Sequence, residues 1–281
     1  MHQKKVRKIM KETLVVLCVG DVIGEPGCLV LAKYLPRLKK HYGVDMVIVN
    51  GENSAKNGRG ITPELMTFFK SCGVQVVTSG NHVWAKNTIL SYFQTQSDLL
   101  RPANYPGDCP GKGVAVVAVN GILVGVVSMQ GRVFLKEHLD CPFRSMQTIL
   151  SFLKSQTSII IVDFHAEATA EKQAFAYFFD GSVSAVLGTH THVQTADERV
   201  LPGGTAYLSD VGMVGAQNSI IGFKKEIATR GFLTQMPIKF EVEYSDPFVF
   251  NGAILTIDTQ TGHARSIERI FLVDHDVQIA K

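Results

Sequence analysis

Three short strand-like runs, at residues 14–19, 46–49 and 74–78, the first two continuously apolar, constrain this chain most, each separated from the next by a segment of helical character. A run of four to six apolar residues without alternation reads as a strand buried on both faces. Such strands belong to parallel sheets covered by helices. Strand, helix, strand, helix, strand implies parallel pairing through right-handed crossovers. The first intervening segment, 26–42, has helical periodicity, and Pro36 is expected to kink or split it. In the second, Thr62-Pro63 reads as an N-cap and first helical residue. That helix runs to Cys72 and stops at Gly73.

The pattern changes after residue 110. Runs at 114–119 and 122–128 flank Asn120-Gly121, a strong two-residue hairpin signal. A helix is expected over 143–154, a buried strand over 158–162, a helix over roughly 170–179, and short strands over 184–187 and 205–208. Residues 212–222 read as a Gly-rich loop and 223–230 as a weak helix. The tail reads as β-rich, with runs at 238–244, 252–258 and 264–273. No repeat or linker interrupts the chain. The expectation is a single domain over 13–281 with two sheets, parallel-leaning early and antiparallel late, behind a basic tail at 1–12.

Composition narrows the class. Hydrophobic content of 46% against 19% charged describes a globular chain. The net charge of +3 misleads, because Lys4, Lys5, Arg7, Lys8 and Lys11 against Glu12 give the tail +4. The remainder is near −1, so a basic nucleic-acid face is not supported. The five cysteines, Cys18, Cys28, Cys72, Cys109 and Cys141, are odd in number and scattered, without a Cys-x-x-Cys pair. They fit structural thiols in a reduced, cytoplasmic setting. The apolar piece at 13–19 is too short for a secretory leader. The longest apolar region, 114–129, is broken by its hairpin turn and is not a membrane span.

Five apolar runs end in residues able to bind a metal: Asp21; Glu52 and Asn53; Asn81 and His82; His165; His190 and His192. Ligands of α/β sheets bind beyond the carboxyl ends of strands. Asx-turns and helix caps explain a single Asp or Asn there, but neither the histidines nor the whole set. His190 and His192, two apart on backbone expected to stay extended, would point to one side. Mixed oxygen and nitrogen donors without thiolate suit iron, manganese or zinc. Asp21 and Glu52 bring −2 and two divalent ions +4, which favours an anionic substrate. Two metal ions about 3.5–4 Å apart clamp the attacking and leaving oxygens in phosphoryl transfer.

Gly20-Asp21, Asn50-Gly51-Glu52-Asn53, Gly80-Asn81-His82, His165 and Gly188-Thr189-His190-Thr191-His192 resemble the ordered motifs of calcineurin-like metallophosphoesterases. Asp163-Phe164-His165-Ala166-Glu167-Ala168-Thr169 and the segment from Thr189 to Asp197 resemble the YmdB-like branch of that superfamily, from about Leu14 to the end. The resemblance implies an α/β fold, a calcineurin-like four-layer α/β/β/α sandwich with two mixed β-sheets. It also implies a phosphodiesterase for cyclic nucleotides, 2′,3′-cyclic ones first and 3′,5′-cyclic ones as an extension, with iron or manganese and zinc as the alternative. The Asp-x-His of the wider superfamily is missing at Asp21, Glu52 replaces its bridging Asp, and Asn53 makes up the lost ligand, all as in the YmdB-like branch. Carried over by position, Asp21, Glu52, Asn53 and His192 would hold one metal. Glu52, Asn81, His165 and His190 would hold the second. His82 would be the general acid opposite an attacking bridging hydroxide.

Other polar residues receive plainer readings. His2, His41, His138, His263 and His275 are expected to be solvated, and Arg101 and Arg132 to be surface arginines, with phosphate contact as their alternative. Trp84 reads as a core or rim aromatic rather than a base-stacking one. Glu167, Asp197 and Asp210 are minor candidates for orienting metal-bound histidines. Two rival functions remain open: a phosphomonoesterase or nucleotidase on the same metals, and a non-catalytic metal- or nucleotide-binding regulator. The expected partner is a small anionic phosphodiester, with no membrane and with homo-oligomerisation left open.

Overall fold

The structure is a computed structural model that describes residues 11–275. Most of the basic tail and His2 therefore lie outside the described residues. The chain begins with β1 (Thr13–Val19), β2 (Asp21–Val22), α1 (Gly24–Tyr42), β3 (Met46–Asn50), α2 (Pro63–Ser71), β4 (Val76–Thr78) and α3 (Ile89–Thr95). It continues with β5 (Val114–Val119), β6 (Ile122–Gln130), α4 (Pro142–Lys154), β7 (Ile159–His165), α5 (Thr169–Phe178) and β8 (Ala185–Thr189). The last elements are β9 (Arg199–Val200), β10 (Ala206–Leu208), β11 (Met213–Ala216), α6 (Lys225–Thr234), β12 (Phe248–Asp258) and β13 (Ala264–Asp274).

Two mixed sheets result. One runs β2-β11-β12-β1-β3-β4, with β13 also on β12; β1, β3 and β4 are parallel, while β12 is antiparallel to β1, β11 and β13. The other runs β5-β6-β7-β8-β10-β9, parallel from β6 to β10 and antiparallel at both edges.

Strand alternation produces the layers. Leu14, Val16 and Cys18 of β1 pack with Ile159 and Ile161 of β7 and Val124 and Val126 of β6 in one core between the sheets. The opposite faces are equally apolar. Leu17 and Val19 meet Val30, Leu31 and Leu35 of α1. Ile160, Val162 and Phe164 meet Leu150 and Leu153 of α4 and Phe175 of α5. A strand apolar at successive positions thus feeds two cores at once, which gives the four-layer α/β/β/α sandwich. Among the described residues no helix is long and apolar enough to cross a membrane.

Several local expectations give way. α1 passes through Pro36 without ending; Pro36 lies on its exposed side, where loss of one backbone hydrogen bond costs little. The Gly-rich segment contains β11, which pairs with β2 and β12. Residues 238–244 form no strand. Val242 makes one bridge to Phe223 and packs with Phe223, Phe240 and Tyr244 against Ile23, so Val242 is buried and Phe240 and Tyr244 partly buried without a sheet partner. α3 and the two-residue β9 had no clear periodic signal.

Candidate metal centre

The site lies where the carboxyl ends of strands from both sheets meet. β2 starts at Asp21, set by Asp21 N donating to Gly212 O at 3.0 Å and by pairing with β11. Glu52 and Asn53 follow β3, Asn81 and His82 follow β4, His165 ends β7, and β8 ends at Thr189 just before the paired histidines. Asp21, Glu52, Asn53 and His165 are almost wholly inaccessible to solvent.

Four donor atoms converge on one point. His165 Nε2 lies 2.9 Å from Asn81 Oδ1, 3.0 Å from His190 Nδ1 and 3.2 Å from Glu52 Oε1. Single ligand atoms from Glu52, His165 and His190 all fall within 4.8 Å of one another. The outward nitrogens fix the inward ones. His165 Nδ1 lies 3.0 Å from Thr189 Oγ1, which donates to Asp163 Oδ1 at 2.6 Å; with a metal ion bound, Nδ1 would keep its proton and Nε2 would present its lone pair. His190 Nε2 faces Glu167 Oε2 at 3.1 Å, which leaves Nδ1 inward. Such a donor set can hold a divalent transition-metal ion, with each imidazole held by a second partner.

A second group adjoins it. Asn53 Nδ2 lies 3.3 Å from Asp21 Oδ1, 3.3 Å from Glu52 Oε1 and 3.1 Å from His192 Nε2. His192 Nδ1 donates to Ile221 O at 2.9 Å, so its Nε2 also faces inward. Asn53 Oδ1 instead meets His82 Nδ1 at 2.9 Å. A cation between Asp21 and His192 needs that amide turned over, which its near-symmetric shape permits. His82 is about a third exposed; its backbone N–H donates to Glu52 Oε2 at 3.2 Å, and its Nδ1 is 3.5 Å from Glu52 Oε1. No described residue hydrogen-bonds its Nε2.

The electrostatics describe a site that holds positive charge. Burial pushes the Glu52 carboxyl up, but His165 and His82 outweigh it and hold it well below the usual carboxylate range. Burial likewise opposes ionisation of Asp21, and His192 and His165 bring it below its ordinary value. Burial disfavours the His165 cation, yet Glu52 and then Asp21 push it up to about 9. Burial and the neighbouring His165 charge push His190 down to about 3. Two buried carboxylates thus recruit protons onto their histidines, the same attraction that binds metal cations.

One expectation is corrected here. β8 ends at Thr189, and the backbone of His190 and His192 is left-handed, with φ of 99° and 65°. A turn, and not strand alternation, aims them: His190 towards His165 and His192 towards Asp21. Arg101 is also corrected. It is buried, and its guanidinium donates to the carbonyls of Pro102, Pro110 and Cys109 in its own loop. Arg132 is exposed, and Trp84 packs against Phe93 and Tyr105. Glu167 orients His190 directly. Asp210 binds Thr191 between the two histidines, whereas Asp197 binds Ser209 and Thr195.

Sequence reasoning missed Asp163. This buried carboxylate accepts from Asn50 Nδ2 at 3.0 Å, from Thr78 Oγ1 and from Thr189 Oγ1, joining the ends of β3, β4, β7 and β8 beneath the site. Burial pushes it up to about 6. The available signal was an acid placed inside an otherwise apolar strand.

The chain matches the family model described as YmdB-like protein over residues 17–270. It is 42% identical over 259 residues to the 2′,3′-cyclic-nucleotide 2′-phosphodiesterase of Bacillus subtilis (strain 168), covering 92% of this chain and 97% of that one. A crystal structure of a phosphatase from Mycoplasma pneumoniae superposes with a TM-score of 0.88 at 35% identity, covering 95% of this chain and 96% of that one. A hypothetical protein from Thermus thermophilus superposes with a TM-score of 0.86 at 37% identity, covering 93% and 100%.

Proposed function

The chain belongs to the YmdB-like protein family, and on that premise we propose that it is a cytoplasmic, dinuclear-metal phosphodiesterase of calcineurin-like type that opens 2′,3′-cyclic nucleotides. The observation that carries this is the convergence of Glu52, Asn81 and His190 donor atoms, each 2.9–3.2 Å from His165 Nε2, beside Asp21, Asn53 and His192. The unit that performs the reaction is residues 13–281. Asp21, Glu52, Asn53 and His192 would hold one cation, and Glu52, Asn81, His165 and His190 would hold the other. Two bound divalent cations, iron or manganese before zinc, supply a nucleophile at neutral pH and neutralise phosphate charge.

The chain's own groups do the rest. Glu167 and Thr189 hold His190 and His165 in the tautomers that face inward. The buried Glu52 and Asp21 are held below their ordinary carboxylate values, so their negative charge would favour bound cations. His82 is anchored by its backbone N–H on Glu52 with its Nδ1 beside the Asn53 amide, which leaves Nε2 as the ring atom available to the substrate. In the diester, the P–O2′ bond breaks as a water oxygen bonds phosphorus; His82 gives its proton to the departing O2′, one water proton stays on the new phosphate monoester, and the other returns to His82. The product is the nucleoside 3′-phosphate.

The test is turnover of bis-p-nitrophenyl phosphate and of 2′,3′- and 3′,5′-cyclic AMP after loading with manganese or iron, beside metal content per chain. Diester turnover with about two metals per chain supports the proposal. Two metals with turnover of monoesters alone moves the function to a phosphomonoesterase. Absence of bound metal after reconstitution overturns it. His82→Ala should keep both metals and lose about 100- to 10,000-fold in kcat.

A further inference from the structure

Outside the ligand set, one buried ion pair is tied to it. Lys172 Nζ, on α5, lies 2.7 Å from Asp210 Oδ2, and both side chains are almost fully buried. The same Oδ2 accepts from Thr191 N at 3.1 Å and Thr191 Oγ1 at 2.8 Å, while Oδ1 accepts from Gly212 N at 2.8 Å. Thr191 is the residue between His190 and His192, whose backbones are both left-handed. For non-glycine residues that conformation persists only where its surroundings over-determine it.

Four donors on one carboxylate are such surroundings. The Lys172 stem reaches them across Gly188, where an added Cβ would sit 1.8 Å from Ser209 O and 2.9 Å from Lys172 Cδ. A buried ion pair is a poor stabiliser compared with apolar side chains of equal size. Its value here is geometric. The Lys172 charge keeps Asp210 an acceptor in a buried place, and Asp210 keeps the turn that separates the two histidines.

We propose that Lys172 and Asp210 are positioning residues for the metal centre: they hold the His190-Thr191-His192 turn so that one histidine serves each cation. The proposal rests on the reading of those histidines as ligands. It differs from the action of Glu167, which orients His190 alone.

The test compares Lys172→Met and Thr191→Val with the wild-type full chain. Manganese affinity is measured by equilibrium dialysis, the manganese pair by its electron paramagnetic resonance spectrum, and kcat and KM with bis-p-nitrophenyl phosphate, all well below each variant's Tm. Lys172→Met should weaken manganese binding about 10- to 100-fold. It should also replace the spin-coupled pair signal by that of isolated ions and lower kcat more than it raises KM. Thr191→Val removes one hydroxyl without disturbing the ion pair, and should weaken binding roughly 3- to 10-fold. It keeps the proposal testable if Lys172→Met fails to fold. A lowered Tm with wild-type manganese affinity, spectrum and kcat in both variants would make the pair merely structural and overturn the proposal. A wild-type chain that binds no manganese defeats instead the reading of the histidines as ligands.

Discussion

Gly80→Ala is the sharpest probe of the site. A Cβ built on Gly80 would lie 2.1 Å from His165 Cδ2 and 2.3 Å from its Cγ and Nε2. Ordinary carbon contacts are about 3.5–4.0 Å, so the imidazole or the β4 turn must retreat by more than about 1 Å. The ring has nowhere to go: it is fully buried, held by Thr189 on one side and by Glu52, Asn81 and His190 on the other. Overpacking of this kind costs about 1–3 kcal/mol. In a chain of this size that is a fall in Tm of about 2–12 °C. A displacement of about 1 Å at a catalytic centre costs about 100-fold in rate. The assay is kcat with bis-p-nitrophenyl phosphate on manganese-loaded protein, with metal content and Tm measured beside it. Gly107→Ala is the control, since an added Cβ there meets nothing within 4 Å. Wild-type kcat and metal content in Gly80→Ala would refute the claim that this glycine exists to let the His165 ring lie against the backbone.

Glu167→Gln should leave the fold intact, because the carboxylate is about half exposed, and should weaken manganese binding roughly 10-fold by loosening His190; unchanged affinity would remove Glu167 from the site. Stability should also fall in alkali. Burial pushes Tyr207 up to about 12 and Cys28 up to about 12, whereas in the unfolded chain they titrate at about 10 and about 8.5. Above about pH 9 the unfolded chain binds fewer protons than the native one, so stability present at neutral pH is lost progressively up to about pH 12. Urea midpoints measured from pH 8 to 11 check this, and a flat profile would contradict it. Tyr207→Phe should remove part of the decline.

Much of this protein is local in origin. Continuous apolar runs mark the buried strands, because each strand feeds two cores and cannot alternate. Polar punctuation at their ends marks the ligand types. Asn120 and Gly121 do turn with positive φ between β5 and β6, and Thr62 does cap α2 by accepting from Leu65 N. Residues 238–244 show the limit of such reasoning. Their side chains suit a strand, but a strand also needs a neighbour with free backbone groups, and among the described residues only Phe223 forms a bridge with this segment.

Residue type and apolar run length are carried within a few neighbouring positions, so the candidate metal-binding side chains and their places at strand ends are legible in the sequence. Tertiary structure alone decided how they are aimed. Asp21 receives the amide of His190 across 169 positions, Asp163 joins Asn50 across 113, and Lys172 reaches Asp210 across 38. The left-handed turn of the histidines and the aim of His165 and His190 follow from such contacts. A hydrogen bond in a buried site is set by partners that the fold brings together, and no local periodicity encodes them.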